Sequence, residues 1–367
     1  MKVLMISGDN QVVKNIDGPF SLTLNGLSEE WDQIDVLCPG VIGERQFNKK
    51  VRLFGVRKFF LPLDLFPFLM KNRYDLIVSH DYGLMLNGLN AFLASKVFNI
   101  PHISEIHHIE GFPQAVNLKE SIYSFLGKMY VSTIGKFCRA IRIDNQGDIL
   151  RLLTEKGISP NKIAYLPPIY LELDKYRPLD IAKSVDVLFV GRLVTNKGIF
   201  TILNAVLKLK SEGIKLKFKI KGRGPLELEI KRFINENKLQ DSIKIDTKIL
   251  NESKLIELYN ESKILVCAST VEGGPRVTLE AMACNIPVIS TPCGIMPEVI
   301  QEGLNGYLFD GTVEQLCLIL KEILSNPSLL QKLSTNSRNS IEKYDYKITL
   351  KNYGLKYKNL ITGASDA

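Results

Sequence analysis

The sequence predicts two doubly wound α/β domains in tandem, on two observations. Short apolar runs alternate with stretches of helical periodicity, and several runs are apolar throughout, as parallel strands covered on both faces are. The alternation stops at a segment rich in Pro and charge, 166–178, and then starts again. We therefore expect an N-terminal domain over residues 1–172, a C-terminal domain over 173–344, and a last helix, about 345–362, that packs back on the first domain.

The elements follow in a similar order in both halves. The predicted strands of the first half are 2–7, 33–39, 51–56, 75–80, 102–107, 140–144 and 163–168, and its helices are 82–98, 119–138 and 147–156. The second half has predicted strands at 185–191, 215–222, 242–246, 263–269, 286–291 and 306–309, with helices at 198–211, 225–238, 252–261, 275–284 and 313–325. The tail, 327–362, is predicted to be wholly helical. Two such halves in tandem imply a ligand cleft between them.

Size and composition are those of an ordinary globular protein. The 367 residues suffice for two cores, and a net charge of +8 favours anionic partners. No run reaches the roughly 18 apolar residues that span a bilayer. The start, MKVLMISGDN, fits a first strand and not a signal peptide, and six scattered cysteines without C-x-x-C spacing indicate reduced thiols. We therefore expect a cytoplasmic protein.

The most informative segment is EGGPRVTLEAMACNIPVIS, 272–290, which follows a predicted apolar strand. It lies at the carboxyl end of a parallel strand, where α/β folds bind ligands. Gly273 and Gly274 allow a ligand to approach the backbone, and Pro275 suits the first helical position. A helix that begins there directs N–H groups and the positive end of its dipole at the ligand. A diphosphate is the natural occupant.

Two glutamates flank this loop. Glu272 stands at its entrance and can accept from sugar hydroxyls. Glu280 lies in the second helical turn, and its side chain tilts back towards the loop, where it can accept from ribose hydroxyls. A single glutamate in a helix is usually a solvated surface residue. Two of them around Gly-Gly-Pro favour a binding role.

A second segment, VGRLVTNKG at 190–198, also follows a predicted strand. Arg192 and Lys197 flank a short polar turn that opens a helix. Two cations at the end of a parallel strand can grip a pyrophosphate and neutralise a leaving diphosphate through charge-assisted hydrogen bonds. A solvated basic turn is an equal alternative for this segment taken by itself.

A third segment, KGRGP at 221–225, again places glycines between a strand and a helix. It is not the dinucleotide fingerprint, because Glu227 stands where a third glycine would be required. A nicotinamide-dependent dehydrogenase is therefore not expected. The segment is a candidate part of the ligand site because it lies one strand–helix unit after VGRLVTNKG.

In this order and spacing, the three segments resemble the retaining glycosyltransferases of family 4. The matching motifs are GRL followed by KG, G-x-G-P, and E-x7-E continuing into EAMA, PVIST, PEVI and NGYLF. The resemblance covers nearly all of 185–310 and is looser over the first half, where DLIVSHDYG and PHISEIH are similar to family strands ending in histidine. The family's Gly-Gly loop after the first strand is absent, since only Gly8 and Asp17–Gly18–Pro19 stand there.

The resemblance implies the GT-B fold, in which two Rossmann-like domains face each other across a cleft. It implies transfer of a sugar from a nucleotide-diphosphate sugar to a glycan, lipid-linked or other acceptor, with retention of anomeric configuration. Synthesis of cell-surface polysaccharide or glycolipid is the expected setting.

The resemblance also assigns a role to each matching residue. Arg192 and Lys197 hold the donor pyrophosphate, Glu280 holds the ribose, and Glu272 contacts the donor sugar. The donor-binding backbone is that of Gly191, Gly222, Gly224, Gly273, Gly274, Pro275, Arg276 and Val277.

One histidine is expected at the active site. His107 matches the family histidine that lies near the donor sugar and the acceptor, and His108 is the competing candidate. His80 ends the preceding predicted strand on the same side of the sheet. His102 stands at the opposite end of its strand and is assigned to the core.

No metal ion and no cofactor besides the donor substrate are expected. No two aspartates stand in D-x-D spacing, the usual carboxylate pair that fixes a divalent metal on a nucleotide-sugar pyrophosphate. The four histidines lie within 80–108 with no cysteine near them, which argues against zinc. Stabilisation of the leaving group would then fall to Arg192, Lys197 and the helix that begins near residue 275.

Residues 119–142 combine lysines and arginines with aromatic and aliphatic residues, and 59–71, FFLPLDLFPFLMK, is rich in aromatics. Such stretches can lie in an anionic headgroup layer, which would make the protein peripheral at the inner membrane face. The alternative is a core-facing helix with a solvated basic side. No nucleic-acid-binding module is recognisable.

Two other functions fit the same architecture. A nucleotide-sugar epimerase would need an acid and a base about one ring carbon, whereas the carboxylates identified above are accounted for by donor binding. A non-catalytic sugar-nucleotide-binding subunit could retain the same donor site without turnover.

Overall fold

Parallel strands alternate with helices through both halves of the chain, as the sequence predicts. The computed structural model describes residues 1–14, 16, 18–57, 61–115, 117–144, 147–167, 171–270, 272 and 274–363. Their contacts divide into two units. The first unit takes the described residues of Met1–Pro168 and Tyr346–Ala367, and the second takes those of Ile169–Asp345.

An eight-stranded sheet forms the first unit, in the order β3-β4-β2-β1-β5-β6-β7-β8. Its strands are β1 (Lys2–Ile6), β2 (Gln33–Pro39), β3 (Gly43–Gln46), β4 (Val51–Val56), β5 (Leu76–His80), β6 (His102–Ile106), β7 (Ala140–Ile143) and β8 (Ile163–Tyr165). The helices between them are α1 (Pro19–Glu30), α2 (Leu61–Lys71), α3 (Leu86–Phe98), α4 (Leu118–Thr133) and α5 (Asp148–Glu155). Strand β3 is antiparallel to β4, and the other pairs are parallel.

The second unit has a six-stranded parallel sheet in the order β11-β10-β9-β12-β13-β14. Its strands are β9 (Val185–Val190), β10 (Phe218–Lys221), β11 (Ile243–Asp246), β12 (Ser262–Cys267), β13 (Val288–Ser290) and β14 (Gly306–Leu308). Its helices are α6 (Ile199–Ser211), α7 (Glu227–Glu236), α8 (Glu252–Asn260), α9 (Arg276–Ala283), α10 (Met296–Val299), α11 (Val313–Ser325) and α12 (Pro327–Asn339).

The last helix, α13 (Tyr346–Thr362), belongs to the first unit and packs on α1. The two helices approach closely at Gly354, where a Cβ would lie only 2.7 Å from the Cβ of Glu30. Tyr353 and Tyr357 on the inner side of α13 are buried, and their hydroxyls reach the sheet.

The prediction that 327–362 is wholly helical was wrong. The helix α12 ends before α13 begins, and a short 3₁₀ turn lies between them at Glu342–Tyr344. Ile341 and Tyr344 are buried in the core of the second unit, and the Tyr344 carbonyl accepts from the Leu171 N–H. These contacts interrupt the α-helix between α12 and α13.

Four of the helices and strands named above were not predicted from the sequence: α1, α2, α10 and β3. The helix α2 contains Pro67, and a proline inside a helix removes one backbone hydrogen bond. Leu61, Leu65 and Leu69 nevertheless face the core one turn apart, so burial outweighs the loss of one backbone hydrogen bond. Residues 59 and 60 of the aromatic stretch lie outside the described residues.

All six cysteines are buried free thiols. Within the described ranges, no helix combines the length and the apolar character that crossing a membrane requires.

Candidate functional site

The second unit has a topological switch point between β9 and β12. From β9 the chain proceeds to β10 and β11 on one side of the sheet, and later strands are added on the other side, starting with β12. In open α/β sheets, ligands bind in the crevice at the carboxyl ends of the two strands that flank this point. The loop after β9 carries residues 191–198, and the loop after β12 carries the described residues of 268–275.

Close backbone contacts hold these loops together. A Cβ on Gly222, which follows β10, would overlap with the carbonyl oxygen of Gly191, and a Cβ on Gly224 would overlap with that of Leu193. Gly198 has a φ of +62° and lies against the carbonyl of Ala268. Glycine at these positions is therefore required for packing between loops, a role the sequence analysis did not assign to Gly222 and Gly224.

An ion pair spans the switch point. The Lys197 ammonium donates to Oε1 of Glu272, and the Ser269 hydroxyl donates to the same oxygen at 3.2 Å. Each charged side chain of the pair is 18% exposed. Burial lowers the pKa of Lys197, and the nearby positive charge of Arg192 acts in the same direction. Arg192 itself is exposed.

The helix α9 begins one residue later than the sequence predicts. Arg276 is its first residue, and Pro275 is the N-cap instead of the first helical position. The first-turn N–H groups of a helix have no intrahelical acceptor, so those of α9, including that of Val277, face the loop that precedes it. Gly274 is half-buried just before the cap, and Gly273 lies outside the described residues.

Glu280 is buried in the second turn of α9, with 5% of its surface exposed. Its Oε2 accepts from the Tyr259 hydroxyl at 2.7 Å, and its Oε1 accepts from Nε of Arg276 at 2.9 Å. Two protein donors therefore fix the orientation of this carboxylate, and each oxygen retains capacity for a further hydrogen bond.

A histidine pair lies at the carboxyl ends of β5 and β6 in the first unit. His80 ends β5, His107 follows β6, and their ring centroids are 5.8 Å apart in an edge-on arrangement. Nδ1 of His107 lies 2.7 Å from Oδ2 of Asp144. His108 is exposed, whereas His102 is buried with its Nε2 at 2.7 Å from the Ser79 hydroxyl. His102 thus lies in the core.

A buried charge network supports the histidine pair. Glu105 on β6 accepts from Nη1 of Arg142 at 2.5 Å and lies 3.6 Å from Nε2 of His80 and from Nε2 of His107. Its other oxygen accepts from the hydroxyls of Tyr353 and Tyr357 on α13. The last helix of the chain thereby contacts the residues that orient the histidines.

The two histidines differ in protonation. Burial lowers the pKa of His80 to about 4, so this ring is neutral near pH 7. Burial also lowers the pKa of His107, but the Asp144 carboxylate outweighs it, and the net shift is upwards. Burial raises the pKa of Glu105, yet the charges of Arg142 and the histidines bring it down to about 2. His107 is therefore the ring that can carry a proton.

Several of these residues were not identified from the sequence. Asp144 ends a predicted strand next to the strand that carries His107, and that position was the signal that could have identified it. Glu105 and the tyrosines of α13 gave no such signal, because 248 and 252 residues separate them. No motif around Tyr259 pointed to Glu280, 21 residues further on. Among the described residues, no group of three or more His, Cys, Asp or Glu could hold a metal ion.

Comparison with known proteins finds similar sequences for most of the chain. Residues 177–340 match the model of the glycosyl transferases group 1 family. On this match and on the relatives below, the chain is a glycosyltransferase. This glycosyltransferase is 28% identical over 275 residues to an uncharacterized glycosyltransferase of Methanocaldococcus jannaschii, covering 74% of this chain and 72% of the relative. It is 27% identical over 164 residues to the putative colanic acid biosynthesis glycosyltransferase WcaL of Salmonella typhimurium, covering 42% and 40%.

Solved structures show the same fold. HepE of Anabaena, solved in complex with UDP, superposes with a TM-score of 0.74 at 16% identity, covering 98% of this chain and 100% of that one. The glycosyltransferase therefore has the GT-B fold, two α/β units each built on a mainly parallel sheet.

Proposed function

We propose that this glycosyltransferase takes its sugar from a nucleotide-diphosphate sugar bound in the crevice of the second unit. The observation that supports this most directly is the convergence of Lys197, the start of α9 and the buried Glu280 at the switch point between β9 and β12. Anions bind where backbone N–H groups, a helix dipole and a cation meet. HepE, which shares the fold, binds UDP.

Each part of the donor has a proposed partner. The pyrophosphate lies between Arg192, Lys197 and the first turn of α9, from Arg276 to Val277. Glu280 accepts from the ribose hydroxyls, since Tyr259 and Arg276 already hold its carboxylate in one orientation. When the donor phosphate becomes the partner of Lys197, the Glu272 carboxylate is released and contacts the donor sugar.

The proposed reaction retains the anomeric configuration. The bond between the anomeric carbon and the diphosphate oxygen breaks, and a bond to an acceptor hydroxyl forms on the same face of the sugar. The acceptor proton passes to the departing phosphate, whose charge Arg192 and Lys197 neutralise without a metal ion. A fixed donor aimed at developing charge is worth roughly 3–4 kcal/mol.

His107 is the proposed active-site histidine of the first unit, in preference to His108. Its Nδ1 is held by Asp144, which fixes the orientation of the ring, whereas His108 is exposed. The proposed acceptor is a glycan or a lipid-linked sugar of a cell-surface polymer. The relative WcaL is described as a putative colanic acid biosynthesis glycosyltransferase, which supports this choice.

A ligand panel tests the donor assignment. Nucleoside diphosphates and nucleotide sugars with different bases are each added to the protein, and the melting temperature is measured. A selective ligand at 100 times its Kd stabilises the folded state by about 2.7 kcal/mol. Stabilisation by one nucleotide sugar supports the proposal, and no shift with any of them contradicts it.

Incubation with and without acceptor separates sugar transfer from epimerisation and from binding without turnover. The stabilising nucleotide sugar is incubated with the enzyme, with and without crude acceptor glycolipid, and the products are separated. Sugar transfer that depends on acceptor supports the proposal. An epimer formed without acceptor would instead identify an epimerase, and binding without any product would identify a non-catalytic subunit.

A further inference from the structure

Two neighbouring helices of the first unit carry apolar residues on their outer faces. On α3, Leu89, Leu93 and Val97 stand one turn apart and are 38%, 44% and 65% exposed. The buried face of the same helix is made of small or polar residues, among them Gly88 and Ala91. Helices of globular proteins normally bury the apolar stripe and expose the polar one, so α3 has the inverse arrangement.

The helix α4 repeats this inverse arrangement over a longer stretch. Leu118, Ile122, Phe125 and Met129 follow a helical spacing on its outer face and are 78%, 47%, 66% and 49% exposed. Ser124 and Gly127 are among the residues that face the core. From the sequence we expect residues 119–142 either to face the core with a solvated basic side or to lie on a membrane. The exposed side of α4 is apolar.

The helices α3 and α4 are neighbours in the first unit. The helices touch at Gly88, where a Cβ would overlap with the Tyr130 hydroxyl. Beyond this contact, the rings of Phe92 and Phe137 lie 6.1 Å apart, and Phe137 is 64% exposed. We call this the α3–α4 surface, formed by Leu89, Leu93, Val97, Leu118, Ile122, Phe125, Met129 and Phe137.

Cations surround the α3–α4 surface. The surface and its edge carry five cations, Lys96, Lys119, Lys128, Lys136 and Arg139, against the carboxylates of Glu110 and Glu120. Lys96 lies over the rings of Phe92 and Phe137 at 5.6 and 5.5 Å, and Lys128 lies over Phe112 at 5.0 Å. Lysine side chains at a membrane interface typically pack their apolar stems along aromatic rings and keep their charged ammonium groups at the edge.

A basic cavity opens at the edge of this surface. It has a volume of about 930 Å³ and is lined by cations from four segments of the unit: Lys96, Arg139, Lys162 and Lys356. Phe137 borders both the cavity and the α3–α4 surface. Of the described residues that line it, none is acidic. The cavity is therefore suited to the phosphate of a lipid headgroup.

We infer that the α3–α4 surface docks on an anionic phospholipid bilayer. The apolar faces of α3 and α4 enter the boundary between headgroups and acyl chains, and the surrounding cations and the basic cavity bind lipid phosphates. A second copy of this chain fits the surface less well, because a symmetric contact would bring the five cations of each copy against each other. This inference does not depend on the proposed sugar transfer, since docking needs neither donor nor acceptor.

Vesicle flotation tests the inference with the full chain. The vesicles are phosphatidylcholine alone, or equal parts phosphatidylcholine and phosphatidylglycerol. We expect binding to the anionic vesicles that weakens as salt is raised, and little binding to phosphatidylcholine alone. Replacing Ile122, Phe125 and Met129 together by Ser should weaken binding at least about tenfold, and Lys96→Gln with Lys119→Gln should weaken it by about fivefold per charge.

Matched controls come from the second unit. Leu228→Ser with Leu318→Ser removes apolar side chains that are 77% and 65% exposed, and Lys244→Gln removes an exposed charge. Both controls should bind vesicles like the unaltered protein. If the triple variant does not fold, Phe125→Ser alone provides the apolar test, since its side chain is 66% exposed.

Three results would overturn the inference. The first is no binding of the unaltered protein to anionic vesicles at low salt. The second is binding that the charge variant loses but the apolar variants keep, because basic adsorption would then suffice. The third is a dimer, seen by sedimentation velocity, that the triple variant loses while vesicle binding is absent, which would make the surface an interface between copies.

Discussion

Lys197 and Glu272 form an ion pair that joins the loop after β9 to the loop after β12, across the switch point of the second sheet. Each side chain is 18% exposed, and the Ser269 hydroxyl donates to the carboxylate. A donor pyrophosphate bound to Lys197 would compete with Glu272 for the ammonium. The pair thus links the two residues that the proposed function assigns to the phosphate and the sugar.

Removing the Lys197 ammonium should sharply lower the rate of sugar transfer without unfolding the protein. Lys197→Ala deletes a charge that neutralises the leaving diphosphate, and we expect kcat/KM to fall by about 10²–10³-fold. Glu280→Gln, which weakens the acceptor of the ribose hydroxyls, should also lower it by orders of magnitude. Lys244→Ala is the control, at an exposed position of the same unit. Turnover close to normal in Lys197→Ala or Glu280→Gln would remove that residue from the proposed site.

Glu272→Gln should separate binding of the diphosphate from transfer of the sugar. The substitution removes a negative charge that competes with phosphate for Lys197, so a free nucleoside diphosphate should bind more tightly than it does to the unaltered enzyme. Transfer should fall, because the sugar loses its carboxylate partner. Calorimetric titration and a transfer assay measure the two effects. Weaker binding of the diphosphate in this variant would contradict the proposed competition.

The glycine at 222 should be required for stability, unlike the glycine that it contacts. Gly222→Ala places a Cβ against the Gly191 carbonyl, and we expect the free energy of unfolding to fall by about 1–3 kcal/mol. Gly191→Ala is the matched control, because its Cβ would meet only the Phe189 ring, at 3.4 Å. We expect that control to stay within about 0.5 kcal/mol of the unaltered protein in denaturant titrations. Equal losses in both variants would contradict this account.

The loops of the second unit could be predicted because their determinants are local. Each is a strand, a few glycines or cations and a helix start within about ten residues, and parallel strands bring such loops to one edge of the sheet. What could not be predicted was which contacts the loops make. The short distance from Gly222 to Gly191, and the pairing of Lys197 with Glu272, depend on the twist and register of the sheet.

The support of His107 could not be predicted for a different reason. Glu105 and Tyr353 are 248 residues apart, and their contact forms because α13 returns to the first unit. Periodicity identified a helix in this tail, but the interruption after α12 depends on burial of Ile341 and Tyr344 in the core of the second unit. Long-range packing of this kind leaves no local pattern in the sequence.

Chelation should leave transfer intact. The proposed leaving-group stabilisation comes from Arg192, Lys197 and the start of α9, so activity after treatment with EDTA should equal that before it. The measurement is the rate of nucleoside diphosphate release with acceptor present, with Mg²⁺ and Mn²⁺ added back in parallel. A rate that EDTA abolishes and Mn²⁺ restores would contradict metal independence.

The pair of His107 and Asp144 should make stability depend on pH in a defined direction. The folded state raises the pKa of His107 above its ordinary value of 6.5 and therefore binds the proton more tightly than the unfolded chain does. The stabilisation is complete below the unfolded pKa and is lost as the pH rises through the folded one. Glu105, Arg142 and His80 also face this ring and remain in place when it is replaced.

His107→Gln isolates this contribution. The difference in free energy of unfolding between the unaltered protein and His107→Gln should be larger below pH 6.5 and should shrink as the pH rises past the raised pKa. His108→Gln, at the exposed neighbouring position, is the control. Denaturant titrations over a pH series measure both differences. A difference for His107→Gln that stays constant or grows with pH would mean that Asp144 does not hold a protonated ring.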